Sequence, residues 1–195
     1  MIELTGMVQS LHIGAGEGLD KPVVLEMEVA LDGIVGDRHR GYERTAWEHG
    51  DKQPGGTRRR NERQWSAVSA EELDAIGSAL SLASPPSAAD LGANLCLSGI
   101  PELSRLPKGS LLTFPSGAVL LVEEFNPPCL DMGQSIASKY RRHDGSAPED
   151  TAFSKAAKLT RGVVGIVDVP GVIRPGDTVR VEIYATPGWL ERTAS

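Results

Sequence analysis

Short segments with apolar and polar side chains alternating at period two run through most of the chain. Val23, Leu25, Met27 and Val29 place four apolar side chains on one face of a predicted strand, with Glu26 and Glu28 on the other. Leu111 to Phe114, a Pro115-Ser116-Gly117 turn and Ala118 to Val122 predict a hairpin. Val163 to Val169, a Pro170-Gly171 turn, Val172-Ile173, a Pro175-Gly176-Asp177 turn and then Val179, Val181 and Ile183 continue the pattern. So many short strands, punctuated by 22 glycines and 13 prolines, predict a barrel or sandwich rather than an α/β parallel sheet.

Helical periodicity is sparse. Ser69-Ala70-Glu71-Glu72 reads as a capping box, with Ser69 as N-cap and Leu73, Ile76 and Leu80 on one face behind it. Asp131-Met132-Gly133-Gln134 resembles a second box, with Asp131 as cap and Met132, Ile136 and Tyr140 at four-residue spacing. A third helix is predicted from about Glu149 to Leu159, with Phe153, Ala156 and Leu159 facing inward. From Arg40 to Arg63 no apolar period exists, and so long a structureless stretch is either functional or disordered. After Tyr184 the residues Pro187-Gly188-Trp189 predict a trailing tail over 186–195, leaving 1–185 as a single domain.

Composition narrows the class. With 195 residues, 40% hydrophobic and 24% charged, the chain has the make-up of a globular protein with one core. A net charge of −6 argues against a general nucleic-acid binder. No run approaches the roughly 20 apolar residues of a membrane span, and Met1-Ile2-Glu3-Leu4 does not open a secretory leader. Two cysteines, Cys96 and Cys129, are too few for a disulfide framework, so a reduced cytoplasmic protein is expected over a Cys96–Cys129 bridge.

Cys129 is the principal chemical candidate. Pro127 and Pro128 lack backbone N–H groups and end any ladder, which puts the thiol on a loop after the strand Val119 to Phe125. A helix capped by Asp131 would then start just beyond it, and the partial positive charge of such a terminus favours a thiolate. A small buried hydrophobe and a reactive thiolate remain alternatives on local grounds. Cys96, inside the apolar run Asn94-Leu95-Cys96-Leu97, is expected in the core.

Gly36-Asp37-Arg38-His39 is a turn whose Asp and His can hold a cation or move a proton, although a satisfied loop histidine reads as well. His12, His49 and His143 have no ligand spacing for structural zinc. Arg58, Arg59, Arg60 and Arg63, with Arg38 and Arg40 at the entry, form a basic cluster suited to an anion such as phosphate. A solvated loop diluted by Glu43, Glu48, Asp51 and Glu62 is the competing view. Arg161 could point into the same pocket. Phosphate-loop, dinucleotide and nucleophile-elbow signatures are absent, and Gly14-Ala15-Gly16-Glu17-Gly18 is not followed by a helix-forming sequence.

These stretches together resemble the MOSC family, found at the C-terminus of molybdenum cofactor sulfurases and in small stand-alone proteins. The resemblance runs in order through Gly33-Ile34-Val35-Gly36-Asp37-Arg38-His39, Asn61-Glu62-Arg63-Gln64 with Val68-Ser69-Ala70-Glu71-Glu72-Leu73, and Leu91-Gly92-Ala93-Asn94-Leu95 with Ser98-Gly99-Ile100. Leu106-Pro107-Lys108-Gly109, Pro128-Cys129 and Arg161-Gly162 to Pro175-Gly176-Asp177 complete it. It implies a mainly β, barrel-like single domain with a few short peripheral helices. It also implies that Cys129 ligates molybdenum or carries sulfur, and that Asp37, Arg38, His39, Asn94 and Arg161 line a pocket for the molybdenum cofactor. Ala93 stands where the family often has an acidic residue, and the pyridoxal-phosphate domain of full-length sulfurases is lacking, so pyridoxal binding is not carried over. Three functions follow as expectations. One is a molybdenum-dependent reductase of N-hydroxylated compounds fed by a separate electron donor. The others are a sulfur carrier loaded by a cysteine desulfurase and a non-catalytic cofactor-binding module.

Overall fold

The computed structural model describes residues 1–16 and 18–184. In chain order its strands are β1 (Ile2–His12), β2 (Val23–Val24), β3 (Met27–Ala30), β4 (Gly33–Ile34), β5 (Glu43–Thr45), β6 (Arg58–Arg60), β7 (Trp65–Ser69), β8 (Leu95–Ser98), β9 (Leu111–Thr113), β10 (Val119–Phe125), β11 (Val163–Val169), β12 (Gly171–Ile173) and β13 (Thr178–Ile183). The α-helices are α1 (Ala70–Ala79), α2 (Leu130–Lys139) and α3 (Ala152–Ala156). Seven strands hydrogen-bond in the order β13-β9-β10-β11-β7-β8-β1, and β1 pairs back onto β13 from Ile2↔Ile183 to Met7↔Thr178, so the barrel is closed. Closure leaves none of those seven strands as an open edge along its paired length. The fold is mainly β with three short helices, as the alternating pattern predicts.

Period two explains which side chains fill the barrel. Val179 and Val181 are fully buried, while their neighbours Thr178 and Arg180 face out. Each such valine contributes roughly 1.5–3 kcal/mol of burial. In β7 and β8 both faces are used: Ala67, Leu95 and Leu97 point into the barrel, and Val68 and Cys96 point into an outer layer with Leu73, Ile76, Met132, Ile136 and Phe153. Among the described residues β7 and β8 form the one parallel pair of strands, and α1 is the crossover between them. Ser69 caps α1 as predicted, its Oγ accepting from Glu72 N at 3.3 Å. The Glu72 carboxylate does not return to the cap. It accepts instead from Ser104 N and Ser104 Oγ at 3.0 and 2.7 Å.

Four expectations are corrected. The strand predicted across Val23 to Val29 is two strands in different sheets: β2 pairs with β1, and β3 pairs with β4 and β12. Met27 and Val29 are buried, but Val23 and Leu25 stay exposed, because the chain turns between the two ladders. Cys129, not Asp131, is the N-cap residue of α2, and Asp131 lies in its first turn. The third helix is only Ala152–Ala156, and Leu159 is 42% exposed with φ +65 rather than facing inward. The segment 40–63 is an ordered hairpin of β5 and β6, with Glu43↔Arg60 and Thr45↔Arg58 in register. Its side chains pair with one another through charge, which is why no apolar period marks it. The predicted tail 186–195 lies outside the described residues. Among the described residues no helix is long and apolar enough to cross a membrane.

Candidate functional site

Cys129 is solvent-exposed and starts α2 in an extended conformation, φ −123 and ψ 166, with no side chain capping the helix. The first-turn N–H groups of a helix have no intrahelical acceptor, so this terminus presents donors beside the thiol. The preceding loop is tied down on both sides. Asn126 N donates to Gly162 O at 2.9 Å, and Asn126 Oδ1 accepts from Arg63 Nη2 at 2.6 Å.

Arg161 is the second member. Its side chain is buried, and Nη2 donates to Leu91 O at 2.6 Å. Nη1 is shut off from solvent and has no hydrogen-bond partner among the described residues. Burial pulls this guanidinium down to about 10, the nearby Cys129 sulfur acts in the opposite sense, and Arg63 adds like charge. The following residue fixes the position. Gly162 has φ +93, and a Cβ there would meet Ala67 O at 2.0 Å, so no side chain fits. Gly162 N donates to Ser104 Oγ at 2.6 Å, and Ser104 Oγ donates onward to Glu72.

The Gly36-Asp37-Arg38-His39 turn is built differently from the expectation of a cofactor-lining loop. Asp37 is buried and fully engaged: Oδ2 takes Lys21 Nζ and Asn94 Nδ2, each at 2.8 Å, and Gly14 N at 3.2 Å. Oδ1 accepts from His39 N at 3.0 Å and meets His39 Nδ1 at the same distance. Despite burial, the His39 and Lys21 contacts hold the Asp37 carboxyl far below the usual range. Burial pulls the Lys21 ammonium down to about 8 against the attraction of Asp37. Asn94 completes the knot, donating also to His12 O and accepting from Ser66 N. Arg38 clamps the glycine-rich stretch through Gly16 O and Gly18 O. Of this turn only the His39 side chain is substantially exposed. Lys21 is a buried partner that no spacing or motif pointed to.

The basic cluster is neutralised by the protein itself. Arg58 pairs with Glu43, and Arg59 pairs with Asp51 and Glu62. Arg60 reaches Glu123 at 2.6 Å. Arg44 joins Asp51 and Glu62, each at 2.6 Å, and stacks on Trp47 with its guanidinium carbon 4.3 Å from the ring centre. The anion-binding role expected of Arg58, Arg59 and Arg60 therefore competes with carboxylates already in place. Arg63 is the member nearest the chemistry, through Asn126. Between this hairpin and the loop before Cys129 lies a cleft of about 310 Å³, walled by Trp47, Lys52, Arg63, Glu124, Phe125 and Pro127. No three His, Cys, Asp or Glu side chains gather around a metal-sized space among the described residues. A soft metal at Cys129 would thus have fewer than three such protein ligands.

Residues 43–180 match the MOSC domain family. YuaD of Bacillus subtilis (strain 168), whose name assigns it provisionally to metal-sulfur cluster biosynthesis, is 36% identical over 182 residues, 93% of this chain and 92% of that protein. The crystal structure of Bacillus subtilis YuaD superposes with a TM-score of 0.87 at 33% identity, covering 94% of this chain and 99% of that one. YiiM from Geobacillus stearothermophilus shares the fold, with a TM-score of 0.60 at 17% identity over 91% of this chain and 75% of its own. By sequence and by fold, the chain belongs to the MOSC domain family.

Proposed function

We propose that this MOSC protein carries sulfur on Cys129 for delivery to a metal–sulfur centre. The observation that carries the reading is an exposed thiol at the uncapped start of α2, whose sulfur interacts electrostatically with the buried Arg161 guanidinium, itself left with a spare donor. A persulfide is an anion on a flexible arm. Helix N–H groups and Arg161 supply the positive potential that stabilises it, and exposure lets it reach an acceptor. The sulfur source is a protein persulfide of the cysteine desulfurase type. The Cys129 thiolate attacks the outer sulfur of the donor persulfide, a new S–S bond forms, the old one breaks, and the donor leaves as its thiolate. No external oxidant is consumed. The provisional assignment of YuaD to metal-sulfur cluster biosynthesis supports the same chemistry.

A second reading, in which the site holds the molybdenum cofactor, is favoured by the orphaned Nη1 of Arg161 and by the cleft that Pro127 walls two residues before Cys129. The residues fit at the metal end, where Cys129 would be the ligand and Arg161 would face the anionic sulfur. They fit less well at the phosphate end, because Arg58, Arg59 and Arg60 are occupied by carboxylates. When bound, the cofactor supplies redox chemistry at molybdenum, and a reductase of N-hydroxylated compounds would draw electrons from a separate protein. Intact-mass analysis after incubation with cysteine and a cysteine desulfurase decides the first reading: wild type gains one sulfur atom and Cys129→Ser does not. No adduct on the wild type refutes it. Molybdenum and pterin content after expression in cells that make the cofactor decides the second, since equal content in wild type and Cys129→Ser removes Cys129 from that site.

A further inference from the structure

The start of α2 has an unusual combination of features. A ten-residue helix begins at Cys129 with no side chain over its free N–H groups. Arg161, more than nine-tenths buried, keeps one guanidinium nitrogen unsatisfied, and the Asn126 N to Gly162 O hydrogen bond at 2.9 Å ties its strand to the loop that leads into this helix. Buried donors are almost always paired, so an orphaned one in a well-packed wall points to a missing acceptor. Glu72 and Ser104 anchor the neighbouring Gly162, which denies Arg161 an easy retreat. The one carboxylate in the first turn, Asp131, is solvent-exposed, where its charge is screened. The acceptor that fits is a small oxyanion, held against the thiol by helix N–H groups and Arg161 together.

We propose that Cys129 accepts sulfur directly from thiosulfate, seated with its oxygens on the α2 N-terminus and Arg161. The inference rests on the reading of Cys129 as a sulfur carrier and names a low-molecular-mass donor for it. Thiosulfate joins a tetrahedral oxyanion to a transferable sulfur in one molecule. The Cys129 thiolate attacks the outer sulfur, forming the Cys129 S–S bond. The bond between the two thiosulfate sulfurs breaks, and sulfite leaves with its electron pair. Charge and electrons balance without another reactant. The donors that hold the oxygens of thiosulfate hold those of the departing sulfite as well, so negative charge is stabilised along the whole path.

The test mixes the purified full chain with thiosulfate and follows sulfite release and the mass of Cys129. One sulfur on Cys129 for each sulfite released is expected. Arg161→Gln is expected to slow thiosulfate loading by about tenfold or more, the scale of one charge-assisted hydrogen bond. The same variant should slow alkylation by uncharged iodoacetamide several-fold less, because that reaction loses only the support Arg161 gives the thiolate and no seat for an anion, and Arg161→Lys should recover part of the loss. Equal slowing with both reagents limits Arg161 to the thiolate itself and overturns the anion site. If Arg161→Gln does not fold, competition on the wild type carries the test: sulfate at constant ionic strength must slow thiosulfate loading, and no slowing overturns the proposal. Loading by a desulfurase without any loading by thiosulfate refutes this inference and leaves the carrier reading standing. Loading by neither refutes both.

Discussion

Asp37→Asn is the sharpest perturbation of the scaffold behind the site. The change is nearly isosteric, but it removes the negative charge that faces Lys21 Nζ at 2.8 Å, and the Lys21 side chain has no solvent exposure. The new amide must also turn an NH2 group toward either Lys21 or His39, both of which now find an acceptor. Breaking one side of a buried pair costs about 3–5 kcal/mol, because the surviving charge is left uncompensated. Against a total stability of about 5–15 kcal/mol, that loss is decisive. Urea unfolding followed by circular dichroism should show a large fall in midpoint at unchanged slope. The double variant Lys21→Met/Asp37→Asn should be more stable than Asp37→Asn, since it leaves no buried charge unpaired. A single variant within about 1 kcal/mol of wild type, or a double variant no better than the single, would refute the account of Asp37 as a structural knot.

The same knot predicts an acid limb. Asp37 titrates lower when folded than when unfolded, so its contribution is fully present above the unfolded value of about 3.9 and is lost as pH falls through the folded one. Wild-type stability measured below about pH 4 should therefore fall more steeply than that of Asp37→Asn. Gly162→Ala should cost about 3 kcal/mol or more in thermal melts, given a Cβ 2.0 Å from Ala67 O. Gly176→Ala, with similar φ but nothing within 4 Å, should cost only about 1–2 kcal/mol. The thiols should differ sharply: iodoacetamide should label exposed Cys129 in the native protein, whereas Cys96, buried and pushed up to about 11, should react only after unfolding. Native labelling of both would contradict the burial of Cys96.

The barrel was legible where burial and period two coincide, as at Val179, Val181 and the Leu111 to Val122 hairpin. It was illegible where one alternating run serves two sheets, as between Val24 and Met27, because periodicity carries no record of a change of partner. The hairpin of Glu43–Thr45 and Arg58–Arg60 escaped because its cohesion is ionic and so leaves no apolar stripe. Cys129 and Arg161 could be singled out, the first from its prolines and the second from the family pattern. Their juxtaposition depends on Asn126 reaching Gly162, a contact across 36 residues that local sequence does not encode. Lys21 left no signal at all, since a lone lysine before Pro22 reads as surface. Asp37 and Asn94 were singled out as pocket-lining residues from the family pattern, whereas the structure shows Asp37 hydrogen-bonded to Asn94 and paired with Lys21.

The most direct test follows labelled sulfur. The protein is incubated with sulfur-labelled cysteine and a catalytic amount of cysteine desulfurase, then digested without reductant and mapped. The label should sit on the peptide containing Cys129, leave on treatment with dithiothreitol, and be absent from the peptide containing Cys96. Label missing from Cys129 while the desulfurase itself becomes loaded would contradict the claim that this thiol carries sulfur.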